Sequence, residues 1–165
     1  MERDKERLLI LIGIALVIGG LIMLPKVAKA RGVTENFGED WEVIAEKYAN
    51  MFGVPVELVK AIIMVESSGR PWVSRRENSY YSYGLMGITY PTARDMGFSG
   101  NPSKLFDPEV NVYYGVKYLR WLMDQPHIDG DIEKLAAAYN AGPDLRPWPS
   151  EYVEKVKYWM RRFSA

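Results

Sequence analysis

Seventeen consecutive residues, Leu8 to Leu24 ("LLILIGIALVIGGLIML"), carry neither a charge nor a polar side chain. At the 1.5 Å rise of an α-helix the run is about 26 Å long, just enough to span the hydrocarbon core of a bilayer. A helix that packs into a soluble core keeps a polar face, and this run has none. Pro25 closes it. The chain is therefore expected to divide in two: an N-terminal segment, residues 1–30, that enters a membrane, and a remainder that folds without it. Two fates suit the first segment. It is retained as a single transmembrane anchor, or it is a signal peptide cleaved at the small residues of "VAKA", Val27 to Ala30. The run exceeds a usual signal core, which favours the anchor. Flanking charge does not orient it: Arg3, Lys5 and Arg7 precede it, and Lys26, Lys29 and Arg31 follow.

The remainder opens with a polar, Gly-containing stretch, "RGVTENFGED", expected as a linker over residues 31–40. Helical stripes separated by Gly and Pro come next. Trp41, Ile44, Ala45, Tyr48 and Phe52 follow the i, i+3, i+4 pattern and stop at Gly53, a C-cap signal. Pro55 suits the first turn of a second helix. Residues 72–90 are dense in Ser, Tyr, Gly and Asn and predict irregular or short β structure. "PTARDMG" predicts a short helix from Pro91 to Met96. In "DPEVNVYYGVKYLRWLMD", Asp107 is the expected N-cap and Pro108 the first residue; Val112, Gly115, Val116, Leu119 and Leu122 or Met123 supply the buried face. "DIEKLAAAYNAG" runs from Asp131 to Gly142. After a Pro-rich turn, Ser150 is the expected N-cap of a last helix, whose "MRRF" end puts cations at the negative pole of its dipole. The fold class is thus mainly α, a helical domain over residues 41–165 with a small irregular or β insert, preceded by a single N-terminal transmembrane helix. Roughly 130 residues are enough to bury a core.

Composition narrows the function. Lys plus Arg is 21 and Asp plus Glu is 21, so the chain lacks the basic excess of a nucleic-acid binder. With no Cys and a single His, His127, thiolate and multi-histidine metal sites are excluded, and no cofactor is expected. Aromatic content of 13% suits a packed core and also a sugar-stacking groove, and does not choose between them.

One helix carries an oddity. In "VELVKAIIMVESSGRP", Val59, Ile62 and Ile63 form an apolar stripe whose next place, i+7, is Glu66. Glutamate is rarely buried without compensation. A carboxyl on an apolar face loses water, which favours its protonated form and suits it to donate a proton. The helix-ending Ser67, Ser68, Gly69 and Pro71 open space beside it. The competing reading is a structural carboxylate paired with an Arg or a helix end.

Five pieces in this order carry a resemblance: "ESSGRP", "SYGLMGITYPTARDMG", "NPSKLFDPEVNVYYGVKYLRWL", "AAAYNAGP" and "YVEKV". Together they resemble the catalytic domain of soluble lytic transglycosylases, relatives of goose-type lysozyme, over about Trp41 to Phe163. The resemblance implies an α+β lysozyme-like fold and cleavage of the β-1,4 bond between N-acetylmuramic acid and N-acetylglucosamine in peptidoglycan. It makes Glu66 the catalytic acid. It places substrate contacts on Gly84, Leu85 and Met86 and on Tyr139 and Asn140, and it puts Tyr152 near the acid. Tyr139 could also hold the carboxyl. A serine before the turn is expected to help hold Glu66, and Ser79 and Ser82 both qualify.

Most glycosidases use two carboxylates. Transglycosylases of this family use one, so that the sugar's own C6 hydroxyl attacks and leaves a 1,6-anhydro end. Goose-type relatives add Asp residues that help water attack instead. Here the acids able to approach are Glu77 and Asp95, and Asp95 reads better as part of a solvated helix, which favours the transglycosylase over the hydrolase. The chain departs from the family where Gly87 stands in place of a glutamine, where Tyr81 and Ser82 replace Gly and Ala, and where the Glu66-to-turn spacing is a few residues longer. The glutamine's absence keeps a silent glycan-binding module as the alternative. Arg75 and Arg76 are expected on a solvated loop. The implied partners are peptidoglycan strands, the membrane through the N-terminal helix, and an envelope or virion assembly, with the domain on the extracytoplasmic side.

Overall fold

The structure, a computed structural model, describes residues 37–77, 79–144 and 149–165. Among these, no helix is long and apolar enough to cross a membrane, and Leu8–Leu24 lies outside them. The fold is mainly helical with one small antiparallel sheet. In chain order it comprises α1 (Phe37–Phe52), α2 (Val56–Ser67), β1 (Ser74–Glu77), β2 (Tyr80–Tyr83), β3 (Ile88–Thr89), α3 (Tyr90–Asp95), a 3₁₀ turn (Pro102–Phe106), α4 (Pro108–Met123), α5 (Ile132–Ala141) and α6 (Ser150–Phe163).

Helix α2 is the centre of the helical domain among the described residues. Leu58, Val59, Ala61, Ile62 and Ile63 are fully buried, and the helix packs most extensively on α6, with α1 and α5 beside it. Each of the Leu, Val and Ile side chains taken from water contributes about 1.5–3 kcal/mol. The stripe of α4 faces the same core through Val112, Val116, Leu119 and Leu122. Asp107 caps that helix, its Oδ1 accepting from the Val110 amide at 3.1 Å. Asp131 caps α5 in the same way, accepting from the Glu133 and Lys134 amides.

Two boundaries differ from the sequence reading. Helix α1 opens at Phe37, inside the stretch read as linker. Pro149, not Ser150, occupies the N-cap of α6, and no side chain caps that end.

The residues read as irregular form a three-stranded sheet of order β1-β2-β3. Arg75 pairs with Ser82 and Arg76 with Tyr81, so alternate residues face the helices and the solvent. Between β2 and β3 the chain turns through Gly84–Gly87. Asn111 of α4 anchors this turn. Fully buried, it donates through Nδ2 to the carbonyls of Tyr83 and Leu105, each at 2.7 Å, and accepts at Oδ1 from the Met86 amide at 2.8 Å. Gly84 is the close approach that makes this possible: at φ +70° a Cβ there would stand 2.3 Å from Asn111 Nδ2.

Candidate active site

Helix α2 ends at Ser67 because Ser68 takes a left-handed conformation, φ 55°. Glu66 therefore sits on the last turn, where the apolar stripe runs out into a cleft. Its side chain is 12% exposed. Oε1 accepts a hydrogen bond from the Tyr152 hydroxyl of α6 at 2.7 Å. Burial pushes the Tyr152 hydroxyl well above the usual tyrosine value, and the neighbouring Glu66 charge pushes it the same way. Tyr152 therefore stays a neutral donor through the physiological range.

Glu66 and Asn140 line two cavities at once. One, of about 310 Å³, lies over the sheet, with Ser82, Gly87, Thr89, Thr92, Tyr118 and Tyr139 in its wall. The other, of about 650 Å³, lies toward α6, with Arg75, Tyr152, Lys155 and Trp159 in its wall. A carboxyl that borders two adjoining cavities can meet a polymer threaded from one into the other.

The Transglycosylase SLT domain model matches residues 43–158. The chain belongs to that family. Curated relatives include the endo-type membrane-bound lytic murein transglycosylase A of Cronobacter sakazakii, 44% identical over 86 residues, and that of an Enterobacter species, 33% identical over 131 residues. These matches cover 48% and 71% of this chain, and 41% and 63% of the relatives, so the chain spans less than two thirds of either protein. Among solved structures, the 70 kDa soluble lytic transglycosylase of Escherichia coli is similar with a TM-score of 0.61 at 25% identity, over 74% of this chain and 24% of that one. An inactive mutant of lytic transglycosylase Slt from Pseudomonas aeruginosa is similar with a TM-score of 0.56 at 20% identity, over 78% and 23%. The shared fold is the lysozyme-like one.

Within this SLT domain the resemblance's residues divide into those that border the cleft and those that support it. Glu66, Ser82, Tyr139 and Asn140 border the smaller cavity. Leu85 and Met86 do not: both are fully buried, and Gly84 packs against Asn111. A glycan cannot reach the Leu85 and Met86 side chains, so this turn supports the cleft from beneath, and Gly87 is its residue on the cavity wall. Tyr139 does not hold the carboxyl as one reading of the sequence had it. Its hydroxyl donates to the Met86 carbonyl at 2.8 Å and ties α5 to the turn. Ser82 is buried, its hydroxyl donating to the Arg75 carbonyl at 3.5 Å, whereas Ser79 is exposed in the β1–β2 turn.

Asp95 is exposed on α3 and borders a separate surface hollow with Phe52, Lys117 and Trp121. Burial, and after it the Asp95 charge, push the hydroxyl of the cavity-wall residue Tyr118 up to about 12. Glu77 closes β1, and its side chain falls outside the described residues. Among the described residues, Glu66 is the carboxylate bordering the smaller cavity, while Glu151 borders the larger one from an exposed position paired with Lys155 at 2.7 Å.

Two residues carry more than the sequence suggested. Gly87, read as a lost glutamine, has φ +60°, and a Cβ there would lie 2.6 Å from Glu66 Oε2. The carboxyl occupies the space a side chain would need. Arg75, expected on a solvated loop, is on β1 with Nη1 3.5 Å from Glu66 Oε2. The signal for Arg75 was its place two residues from the end of a polar four-residue run that could pair as a hairpin.

Proposed function

We propose that this chain is a peptidoglycan lytic transglycosylase with Glu66 as its acid and base, held at the outer face of a membrane by Leu8–Leu24. The observation that carries the reading is a mostly buried carboxyl at the junction of two cavities, with one oxygen held by a neutral tyrosine. Relatives named as membrane-bound lytic murein transglycosylases support both substrate and location.

A glycan strand lies across Glu66 with its muramyl–glucosaminyl bond at the carboxyl. Glu66 donates its proton to the bridging oxygen as the bond from muramyl C1 to that oxygen breaks. The substrate's acetamido group supports the positive charge at C1. The carboxylate left behind removes the proton from the C6 hydroxyl, whose oxygen bonds to C1. Glu66 ends protonated, no water is consumed, and the product has a 1,6-anhydro end. Gly87, Asn140 and Ser82 border the path of the strand. Domain limits follow: residues 1–30 anchor, and a short tether leads to the helical domain that begins near Phe37. Cleavage is then confined to wall close to the membrane, or close to an envelope or virion assembly that holds the enzyme there.

The test uses the whole chain in detergent micelles with purified sacculi, and muropeptides identified by mass. Anhydro ends are expected, lighter by one water than the reducing ends a hydrolase would leave. Glu66→Gln is expected to reduce release by about 10²- to 10⁴-fold, the contribution of a positioned acid. Reducing ends would replace the reading with a hydrolase. Absence of release from every wall type, with Glu66→Gln binding sacculi as the parent does, would replace it with a glycan-binding module.

A further inference from the structure

Helices α3 and α4 each give the smaller cavity one wall residue, Thr92 and Tyr118. Three residues further along each helix stand Asp95 and Trp121, and both border the surface hollow, of about 350 Å³. Residues three apart on a helix share a face, about 4.5 Å apart along the axis. Cavity and hollow are therefore neighbours along both helices, with the Tyr118 and Trp121 rings between them.

These rings are packed on each other. Their centroids are 5.8 Å apart and their planes 14° from parallel. Tyr118 in turn lies against the Tyr139 ring at 5.6 Å, and the Tyr139 hydroxyl is tied to the Met86 carbonyl. Trp121 nevertheless stays 42% exposed. A single exposed aromatic needs no explanation of its own. The placement of this one does. Exposed Tyr81 and Tyr158 meet their ring neighbours at 45° and 82°, whereas Trp121 lies nearly flat on a ring of the cleft wall.

The polar groups of the hollow narrow what could lie there. Lys117 donates to the Met96 carbonyl at 2.8 Å, and Arg120 pairs with Asp124. Both cations have partners within the protein, so the hollow is not built around an anion. It offers an indole with the Asp95 carboxylate in the same wall. A β-1,4-linked N-acetylhexosamine matches that pair: its ring C–H groups form an apolar face that covers an indole, and hydroxyl and amide hydrogens at its edge donate to a carboxylate.

We propose that Trp121 is the floor of an outlying saccharide subsite: a glycan strand that fills the smaller cavity continues over the Tyr118–Trp121 stack, and a sugar ring beyond the cavity lies on the indole. This deepens the proposed function and rests on the cleft being a glycan site, but not on the role of Glu66. Because Tyr118 already fixes the indole, little side-chain freedom is lost when a sugar lands on it.

The test uses the whole chain in detergent micelles free of sugar headgroups, with Glu66→Gln as background so that nothing is cut. The probes are β-1,4-linked N-acetylglucosamine oligomers of three and six units, and binding is read by calorimetry. Trp121→Ala is expected to weaken the six-unit oligomer by about three- to tenfold, the scale of one aromatic stacking contact. The three-unit oligomer, which the cavities beside Glu66 accommodate, is expected to change by less than about twofold on the same scale. Trp121→Phe keeps a flat apolar face and is expected to bind both oligomers as the background does. It also removes the indole emission, so the fluorescence change on adding the six-unit oligomer should shrink. Tyr158→Ala, an exposed aromatic away from the hollow, is the control and should change neither. Unchanged affinity for the six-unit oligomer in Trp121→Ala overturns the subsite. Equal losses for both lengths also overturn it, since the ring would then only be propping the cavity. A fluorescence change as large in Trp121→Phe as in the background overturns it independently. The two failures separate. A parent that releases no muropeptide while its Glu66→Gln form shows this length dependence loses the functional reading and keeps the subsite. A parent that releases anhydro-muropeptides while Trp121→Ala binds both lengths unchanged loses the subsite alone.

Discussion

The Glu66 carboxyl lies between two walls of different construction. On the side of Oε1 stand α2, α5 and α6, packed through fully buried aliphatics and closed by Tyr152 and Tyr139. On the side of Oε2 stand Gly87 and a hairpin of short strands whose residues Arg75, Arg76, Tyr80 and Tyr81 are exposed. The helical wall owes its geometry to area buried, which is collective and hard to displace. The hairpin wall owes its geometry to a few polar contacts, each of which one substitution can remove. A site built this way fixes where the Glu66 carboxyl stands and leaves adjustable what surrounds Oε2.

If that contrast is right, the hairpin wall should fail at its attachment to the helices. Asn111 is that attachment. Asn111→Leu leaves two carbonyls and one amide without partners, and each buried unsatisfied group costs about 1–3 kcal/mol. A loss of about 4 kcal/mol is expected in urea unfolding of the whole chain in detergent. A loss below about 1 kcal/mol would mean that the turn is held by other means and that the two walls are not joined at this residue.

Much of the helical wall was legible in the sequence and little of the hairpin wall was. The stripe of α4 could be read because apolar residues recur at helical spacing between Asp107 as cap and Met123 as end. Asn111 escaped that reading, since a polar residue interrupts the pattern on the buried side; its place four residues before Gly115 was the available hint. The strands were too short, at four, four and two residues, to show alternation. Glu66 stood out because it ends an apolar stripe. Its partners did not: Tyr152 lies 86 residues away, and only the packing of α6 on α2 brings it near, so it entered through resemblance and not through spacing. The apolar run Leu8–Leu24, read as an anchor, was the plainest feature of the sequence and falls outside the described residues.

On the Oε2 side of the carboxyl the sharpest probe is a single methyl group. Gly87→Ala places Cβ where Oε2 now lies, at 2.6 Å, and strains a backbone at φ +60°. Either the turn or the carboxyl has to move by a sizeable fraction of an ångström. Misplacement on that scale is worth about 10²-fold in rate, and muropeptide release is expected to fall by about that much with folding retained. Activity within about threefold of the parent would show that the space beside Oε2 is not reserved for the acid, and the distinction between the two oxygens would weaken.

The opposite oxygen gives the smaller effect: on the proposed reading its partner, Tyr152, aligns the carboxyl and takes no part in the transfer. Tyr152→Phe removes one hydrogen bond to a charged group, about 1.5 kcal/mol, or about tenfold in release rate. It also has a signature in stability that Gly87→Ala lacks. The folded-state value of the Tyr152 hydroxyl is raised, first by burial and then by the Glu66 charge, so the folded chain keeps this proton at pH values where the unfolded chain has released it. Its contribution is full below the unfolded tyrosine value, about 10, and is lost as pH rises from there toward the folded value. Tyr139 acts in the same direction. Unfolding measured from pH 9 to 12 should therefore show stability falling with pH in the parent and falling less steeply in Tyr152→Phe, whereas Gly87→Ala should keep the parent's slope. Equal slopes in the parent and Tyr152→Phe would mean that this hydroxyl ionises as freely folded as unfolded, and that the helical wall does not exclude water from Oε1.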